Sequence, residues 1–187
     1  MSAEVVESII TLPGADAREK AARALGLQDR VVSTFCLIDA AQDDGIYPRL
    51  RAFAADTAVA CLYQGDAAEE LADVAPYLVG LDDAVFDWLW GMWDRPWGVF
   101  VRSTATIDDL RAHFRRLTKV ATEDGTVLLF RFYDPRVFAP FLPTCDAAQL
   151  DEVFGPVSGY AVTQAGELAW YRRTDAGVQC VRIVLRA

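Results

Sequence analysis

His113 is the one histidine in this 187-residue chain, and Asp109 stands four positions before it on a helical pattern, the spacing at which a carboxylate orients an imidazole for proton transfer. No serine or cysteine nucleophile motif accompanies the pair, so His113 reads as a histidine on a helix surface. Asp39, Asp43 and Asp44, followed by Gly45, gather three carboxylates, but the alternating ligands and terminal glutamate of a calcium loop are missing. Two readings of them stand: a solvated loop, or a small-molecule site at the strand ends of a parallel sheet. Glycine patterns that cradle phosphate are absent, as are His-Glu-x-x-His and Gly-x-Ser-x-Gly. Cys36, Cys61, Cys145 and Cys180 form no Cys-x-x-Cys pair, and three of them lie in or beside apolar segments, the pattern of reduced core thiols. The expectation is no catalytic residue, no cofactor-binding residue and no metal ligand.

Two clusters carry binding chemistry instead. Trp88, Trp90, Trp93 and Trp97 fall close together with Phe86, Leu89 and Met92, and on a helix these positions cover nearly the whole circumference. Either the segment is buried on both sides, or it leaves Trp88, Trp93 and Trp97 as aromatic anchors for a partner. Arg111, Arg115 and Lys119 recur every fourth residue on the outward side of a helix, with Arg116 beside them and Asp108 placed to relieve Arg111. This reads as a solvated face or as a basic patch for an acidic partner.

Composition narrows the function classes. Hydrophobic residues make up 53% and charged residues 24% of the chain, enough apolar surface to offset the entropy of ordering one domain over 1–187. The net charge is −9, held in the first half: residues 1–95 carry −10 and residues 96–187 carry +1. Such a surface repels phosphate backbones and anionic lipid, so nucleic acid is excluded as a partner. Residues 1–10 contain Glu4 and Glu7 and lack a basic stretch, and apolar runs are broken by charge well short of the roughly 18 residues of a membrane span. A cytoplasmic protein without a membrane span is expected.

The elements that must position these residues follow from periodicity and caps. Helices are predicted over 15–26, 47–55, 67–74, 82–93, 106–119 with Thr106 and Asp109 as a capping box, 135–143 with Asp134 as cap and Pro135 in the first turn, and 147–154. Continuous apolar runs at 31–38 and 58–63 on either side of a helix read as a βαβ unit, and 77–81, 97–102 and 126–132 as further strands, the last central and covered on both faces. After Gly155-Pro156 three strands separated by Ala165-Gly166 and Asp175-Ala176-Gly177 read as an antiparallel meander over 157–186. The fold class is therefore α/β: a mixed, largely parallel central sheet flanked by helices, with a C-terminal antiparallel β-meander.

Five ordered segments carry a resemblance: Leu37-Ile38-Asp39-Ala40, Cys61-Leu62-Tyr63, Ala75-Pro76-Tyr77-Leu78-Val79, Phe130-Arg131-Phe132-Tyr133-Asp134-Pro135-Arg136-Val137 and Phe154-Gly155-Pro156-Val157. Over about residues 33–160 the chain resembles the effector adaptor or chaperone family of bacterial type VI secretion, of the Tap/TEC type (domain of unknown function 4123). Residues 1–30 and those after Gly166 carry none of these motifs. The resemblance implies a non-enzymatic protein that binds a toxic effector in the cytoplasm and assists its loading onto the VgrG spike. Read from the residues themselves, Arg131 and Asp134 can pair across the turn and are architectural together with Asp39 and Pro135, leaving Tyr133 and Arg136 for partner contact. A small-molecule-binding protein or enzyme using strand-end carboxylates, or an immunity protein, are the alternatives.

Overall fold

A computed structural model describes residues 4–12, 16–29, 31–121, 125, 127–164 and 166–185. In chain order the elements are β1 (Glu4–Thr11), α1 (Ala17–Leu25), β2 (Ser33–Asp39), a 3-10 turn (Ala40–Gln42), α2 (Ile46–Phe53), β3 (Val59–Cys61), α3 (Asp66–Glu70), a second 3-10 turn (Ala72–Val74), β4 (Pro76–Gly80) and α4 (Asp83–Trp90). There follow β5 (Gly98–Ser103), α5 (Ile107–Leu117), β6 (Lys119–Ala121), β7 (Val127–Leu129), α6 (Pro135–Phe141), a third 3-10 turn (Leu142–Thr144), α7 (Ala147–Phe154), β8 (Val157–Gln164), β9 (Glu167–Thr174) and β10 (Gly177–Val184).

Several helices start where a side chain satisfies their first free N–H groups. Asp16 accepts from the Glu19 N–H at 2.8 Å to open α1, which Gly26 closes in the left-handed region at φ 69°. Thr106 accepts from the Asp109 N–H at 3.2 Å and donates its hydroxyl proton to the Asp109 carboxylate at 2.7 Å, so α5 begins as the sequence predicts. Asp146 and Gln149 form a full capping box at α7, a pairing the sequence reading passed over.

Eight strands form one sheet in the order β1-β10-β9-β8-β5-β2-β4-β3, and β6 pairs with β7 apart from it. The expectation of a largely parallel sheet is overturned: in the main sheet β1–β10 is the parallel pair and the others are antiparallel. β2 and β3 do run the same way on either side of α2, yet β4 lies between them and pairs antiparallel with both. The physical reason for the misreading is two-sided burial. Along β2, Phe35 and Leu37 face a core built with Leu110, Phe114, Phe138, Leu150 and Phe154 of α5, α6 and α7. Cys36 and Ile38 face an opposite core built with Leu25, Leu50, Phe86 and Leu89 of α1, α2 and α4. A strand covered on both faces shows no polar alternation, whichever way its neighbours run.

The meander forms as expected, and because β8 pairs with β5 it extends the same sheet. Two further corrections concern strands. Residues 127–129 of the predicted central strand form the short β7, outside the main sheet, with Leu128 and Leu129 exposed; Thr126 lies outside the described residues. The opening segment, read without any strand, contains β1, whose Val5, Val6, Ile9, Ile10 and Thr11 are β-branched residues suited to a pleated surface.

Candidate functional site

Four of the five motif segments meet at one end of the sheet. Asp39 closes β2, opposite Pro76 of β4, with its backbone N–H donating to the Trp97 carbonyl at 2.9 Å. Its side chain is 1% exposed and is fully engaged. One oxygen accepts from the Ala41 N–H at 3.2 Å and so caps the first 3-10 turn; the other accepts from Gln42 Nε2 at 2.8 Å and from the Arg131 guanidinium. Asp134 caps α6, accepting from the Arg136 N–H at 2.9 Å, from Arg136 Nε at 2.9 Å and from Arg136 Nη2 at 2.6 Å. Arg136 Nη2 also donates to Gln42 Oε1 at 3.1 Å. The result is an unbroken polar chain, Arg131–Asp39–Gln42–Arg136–Asp134, joining segments more than ninety residues apart in sequence (|i−j| 92 and 94).

The expected pairing of Arg131 with Asp134 is thus replaced by two others, Arg131 with Asp39 and Arg136 with Asp134. Burial works to raise the Asp134 carboxyl; the hydrogen bonds and charge of Arg136, with help from Arg131, outweigh it and hold the group below its usual range. Pro135 occupies the first turn of α6, where its missing N–H costs nothing. Tyr133 is a correction to the expected contact surface: its ring is buried against Phe132, with centroids 5.6 Å apart, and Tyr63 is among its neighbours. Burial first, and then its neighbours Tyr63 and Asp39, push that phenol above its ordinary value. Arg136 remains exposed.

Arg111 and Arg115 do not form an outward basic patch. Arg111 Nε donates to the Cys61 carbonyl at 3.0 Å, and Arg115 donates to the carbonyls of Cys61, Leu62 and Tyr63 at 3.0–3.2 Å. Both reach from α5 to the backbone at the end of β3 and occupy carbonyls an edge strand would otherwise present. Desolvation lowers the Arg115 guanidinium from its ordinary value, and the charge of Arg111 adds to that.

Of the tryptophans, Trp93 and Trp97 are buried among Phe86 and Phe100, with the Trp97 and Phe100 rings edge-on at 4.9 Å. Trp88 is half-buried against Phe53 at 5.5 Å. The segment is buried on one side only, against the core of α1, α2 and α4, with Asp83, Ala84 and Asp87 exposed on the other, so neither reading holds as stated; Trp93 and Trp97 offer no exposed anchor.

His113 is also a correction: it is 4% exposed, sealed between α5 and α7, with Nε2 3.1 Å from the Val153 carbonyl. Its position three residues after Leu110 and four before Leu117, on the apolar stripe, was the signal for this. Gly155 of the fifth motif segment, at φ 44°, passes so close that an added Cβ would lie 2.5 Å from Cε1 of the ring. Burial, reinforced by Arg116 and opposed by the Val153 carbonyl and Glu152, lowers the imidazole from its ordinary value of 6.5. The sign is that of a group folded in its neutral form. Its contribution to stability is complete above 6.5 and is lost as the pH falls through and below that value, because the unfolded chain then binds the proton more tightly. Urea midpoints should therefore fall between pH 7.5 and 5.5 by more in the wild type than in His113→Asn; equal slopes would remove His113 from the account.

Beside Arg136 lies an open groove of about 410 Å³ walled by Pro96, Pro135 and Pro140 and rimmed by Arg95 and Thr163. Asp43 holds Arg95 at 3.1 Å, so the acidic loop residue serves an ion pair at this rim. The strand ends beside it belong to an antiparallel sheet, which removes the parallel-sheet premise of a small-molecule site at Asp39. Among the described residues no three potential metal ligands cluster, all four cysteines are free thiols, and no helix is long and apolar enough to cross a membrane.

Helices on both faces of a mixed sheet, with a salt-bridged polar network at one sheet end, define an α/β protein. Residues 34–152 match the model of the family described as Domain of unknown function (DUF4123), and the chain belongs to that family. Comparison with curated proteins and with solved structures gives no match.

Proposed function

We propose that the protein is a non-enzymatic adaptor that binds a type VI secretion effector in the cytoplasm and assists its loading onto the VgrG spike. The observation that carries this reading is convergence. The segments containing Asp39, Cys61–Tyr63, Ala75–Val79 and Arg131–Arg136, on which the resemblance to type VI adaptors rests, lie within the matched span and meet at one sheet end. Their charges are fixed in mutual pairs, which suits a rigid platform: a docking surface whose side chains are already ordered loses little entropy when a partner arrives. Arg136, tethered yet exposed at the groove rim, is the group best placed to touch the effector.

The test is affinity purification of the full chain from its host, with mass spectrometry of what is retained. Recovery of one effector together with the spike is the expected result; recovery of the protein alone, repeated under crosslinking, would refute the proposal. Arg136→Glu should weaken effector capture at least ~10-fold at equal amounts of folded protein, and it should also lower the thermal midpoint, because it leaves the buried Asp134 carboxylate without its cation. Trp93→Ala, by contrast, should act through loss of folded protein. Strong thermal stabilisation by a small anionic metabolite, with none by the effector, would move the protein to the ligand-binding class.

A further inference from the structure

The two edges of the main sheet are built differently. At one, β3 is three residues long, and the guanidinium groups of Arg111 and Arg115 already occupy the carbonyls at its end. At the other, β1 is eight residues long and pairs along its whole length with β10. It contains no proline, glycine or lysine, and Val6, Ile9 and Ile10 are 51%, 69% and 40% exposed. Every second residue of a strand paired on one side turns its N–H and C=O outward, and proteins that leave such an edge open normally blunt it with charge, bulges or proline. Here there is no proline, no basic residue and no break in the pairing with β10, and charge enters only through Glu4 and Glu7.

We propose that a second copy of this chain covers this edge, β1 pairing antiparallel with its counterpart so that the two sheets become continuous. Three observations favour a copy over another occupant. First, β3 is three residues long and the arginines occupy the carbonyls from Cys61 onward, so it offers little length for head-to-tail growth, whereas a two-fold contact of β1 with itself uses the whole strand and terminates after two chains. Second, charge along the strand is sparse: Glu4 and Glu7 are its two charges, and a seam centred near residue 8 leaves Glu4 at its outer end, away from the other copy's carboxylates. Third, the strand complements itself. A two-fold axis perpendicular to the sheet pairs residues of like parity. Centred on Glu7 it would set two carboxylates opposite one another; centred on Ser8 it sets Val6 against Ile10 on one face and Glu7 against Ile9 on the other. Glu7 lies 3.8 Å from Arg182, a cation on its own sheet, which leaves its methylenes for the isoleucine across the axis.

Sedimentation of the full chain across micromolar concentrations should give a mass of two chains that dissociates on dilution. Ile9→Lys should weaken this association by ~10-fold or more, since an unpaired ammonium would enter the seam. In a Cys61→Ser background, which removes the one cysteine that is not buried, Ser8→Cys should give a disulfide-linked dimer under mild oxidant, whereas the same background without it, and Ser158→Cys on an interior strand, should not. A wild type that stays monomeric while Ser8→Cys fails to crosslink overturns the proposal. A dimer indifferent to Ile9→Lys and not linked through Cys at position 8 does so equally. Should Ile9→Lys fail to fold, the crosslink alone decides. Neither result depends on an effector, so the adaptor reading stands or falls separately.

Discussion

Gly98→Ala is expected to lower the stability of the fold by about 3–5 kcal/mol. A Cβ at this position would lie 1.9 Å from the Leu37 carbonyl oxygen and 2.9 Å from its carbon. Both atoms are backbone of the neighbouring strand, so no side chain can swing aside. Gly98 sits opposite Ile38 at the start of β5, in the middle of the sheet; relief requires β2 and β5 to separate where Leu37 and Val99 supply one core and Ile38 and Phe100 the other. The comparison is Gly65→Ala. Gly65 has φ 57° and ψ −144° but nothing within 4 Å of an added Cβ, so it should cost about 1–2 kcal/mol, the strain of a backbone conformation that glycine adopts freely and other residues avoid. Urea denaturation of both variants checks the pair: similar costs would show that close approach is not what position 98 demands.

The second large effect is expected at Arg131. Its guanidinium is the cation for a carboxylate that is 1% exposed, while Arg131 itself is 45% exposed. Arg131→Ala leaves the Asp39 carboxylate buried with Gln42 and the Ala41 N–H as its remaining partners. Removing one member of a fully buried pair costs about 3–5 kcal/mol; with the arginine half in solvent and screened, about 2–3 kcal/mol is the appropriate expectation. A double-mutant cycle with Asp39→Ala should return a coupling energy of at least ~1 kcal/mol. A coupling near zero would mean that the polar chain is a surface ornament and that Asp39 serves only its 3-10 turn. Because Gln42 bridges to Arg136, Arg131→Ala should also weaken effector capture beyond what unfolding explains.

Local chemistry was legible in the sequence; pairing across distance was not. The helix caps at Asp16, Thr106 and Asp134 and the turns of the C-terminal meander are contained within a few residues, and they are found where the sequence places them. Strand direction is different. An apolar run such as Phe35–Ile38 records that both faces are covered and says nothing about which neighbour lies alongside, so an antiparallel sheet between two helix layers reads as a parallel one. The same ambiguity misplaced Val127–Leu129, whose apolar residues sit on a small hairpin away from the main sheet. At the site, Asp39, Arg131, Asp134 and Arg136 were all singled out, but the partner of each charge was fixed by tertiary placement. Arg111 and Arg115 were misread because helix spacing cannot show that their ends reach the carbonyls of another element. His113, by contrast, was readable, since it stands three residues after Leu110 and four before Leu117, at the spacing of a buried helix face.

The parallel pairing of β1 with β10 joins the first of the described strands to the last. On a ribosome adding ~5–20 residues per second, β1 is complete on the order of ten seconds or more before its neighbour emerges. The intervening chain can meanwhile condense around β2, β4 and β5, so this seam closes last, after translation has passed residue 184. An exposed strand rich in valine and isoleucine must wait through that interval, which makes nascent-chain handling, more than the finished fold, the stage at which substitutions in Glu4–Thr11 should alter yield.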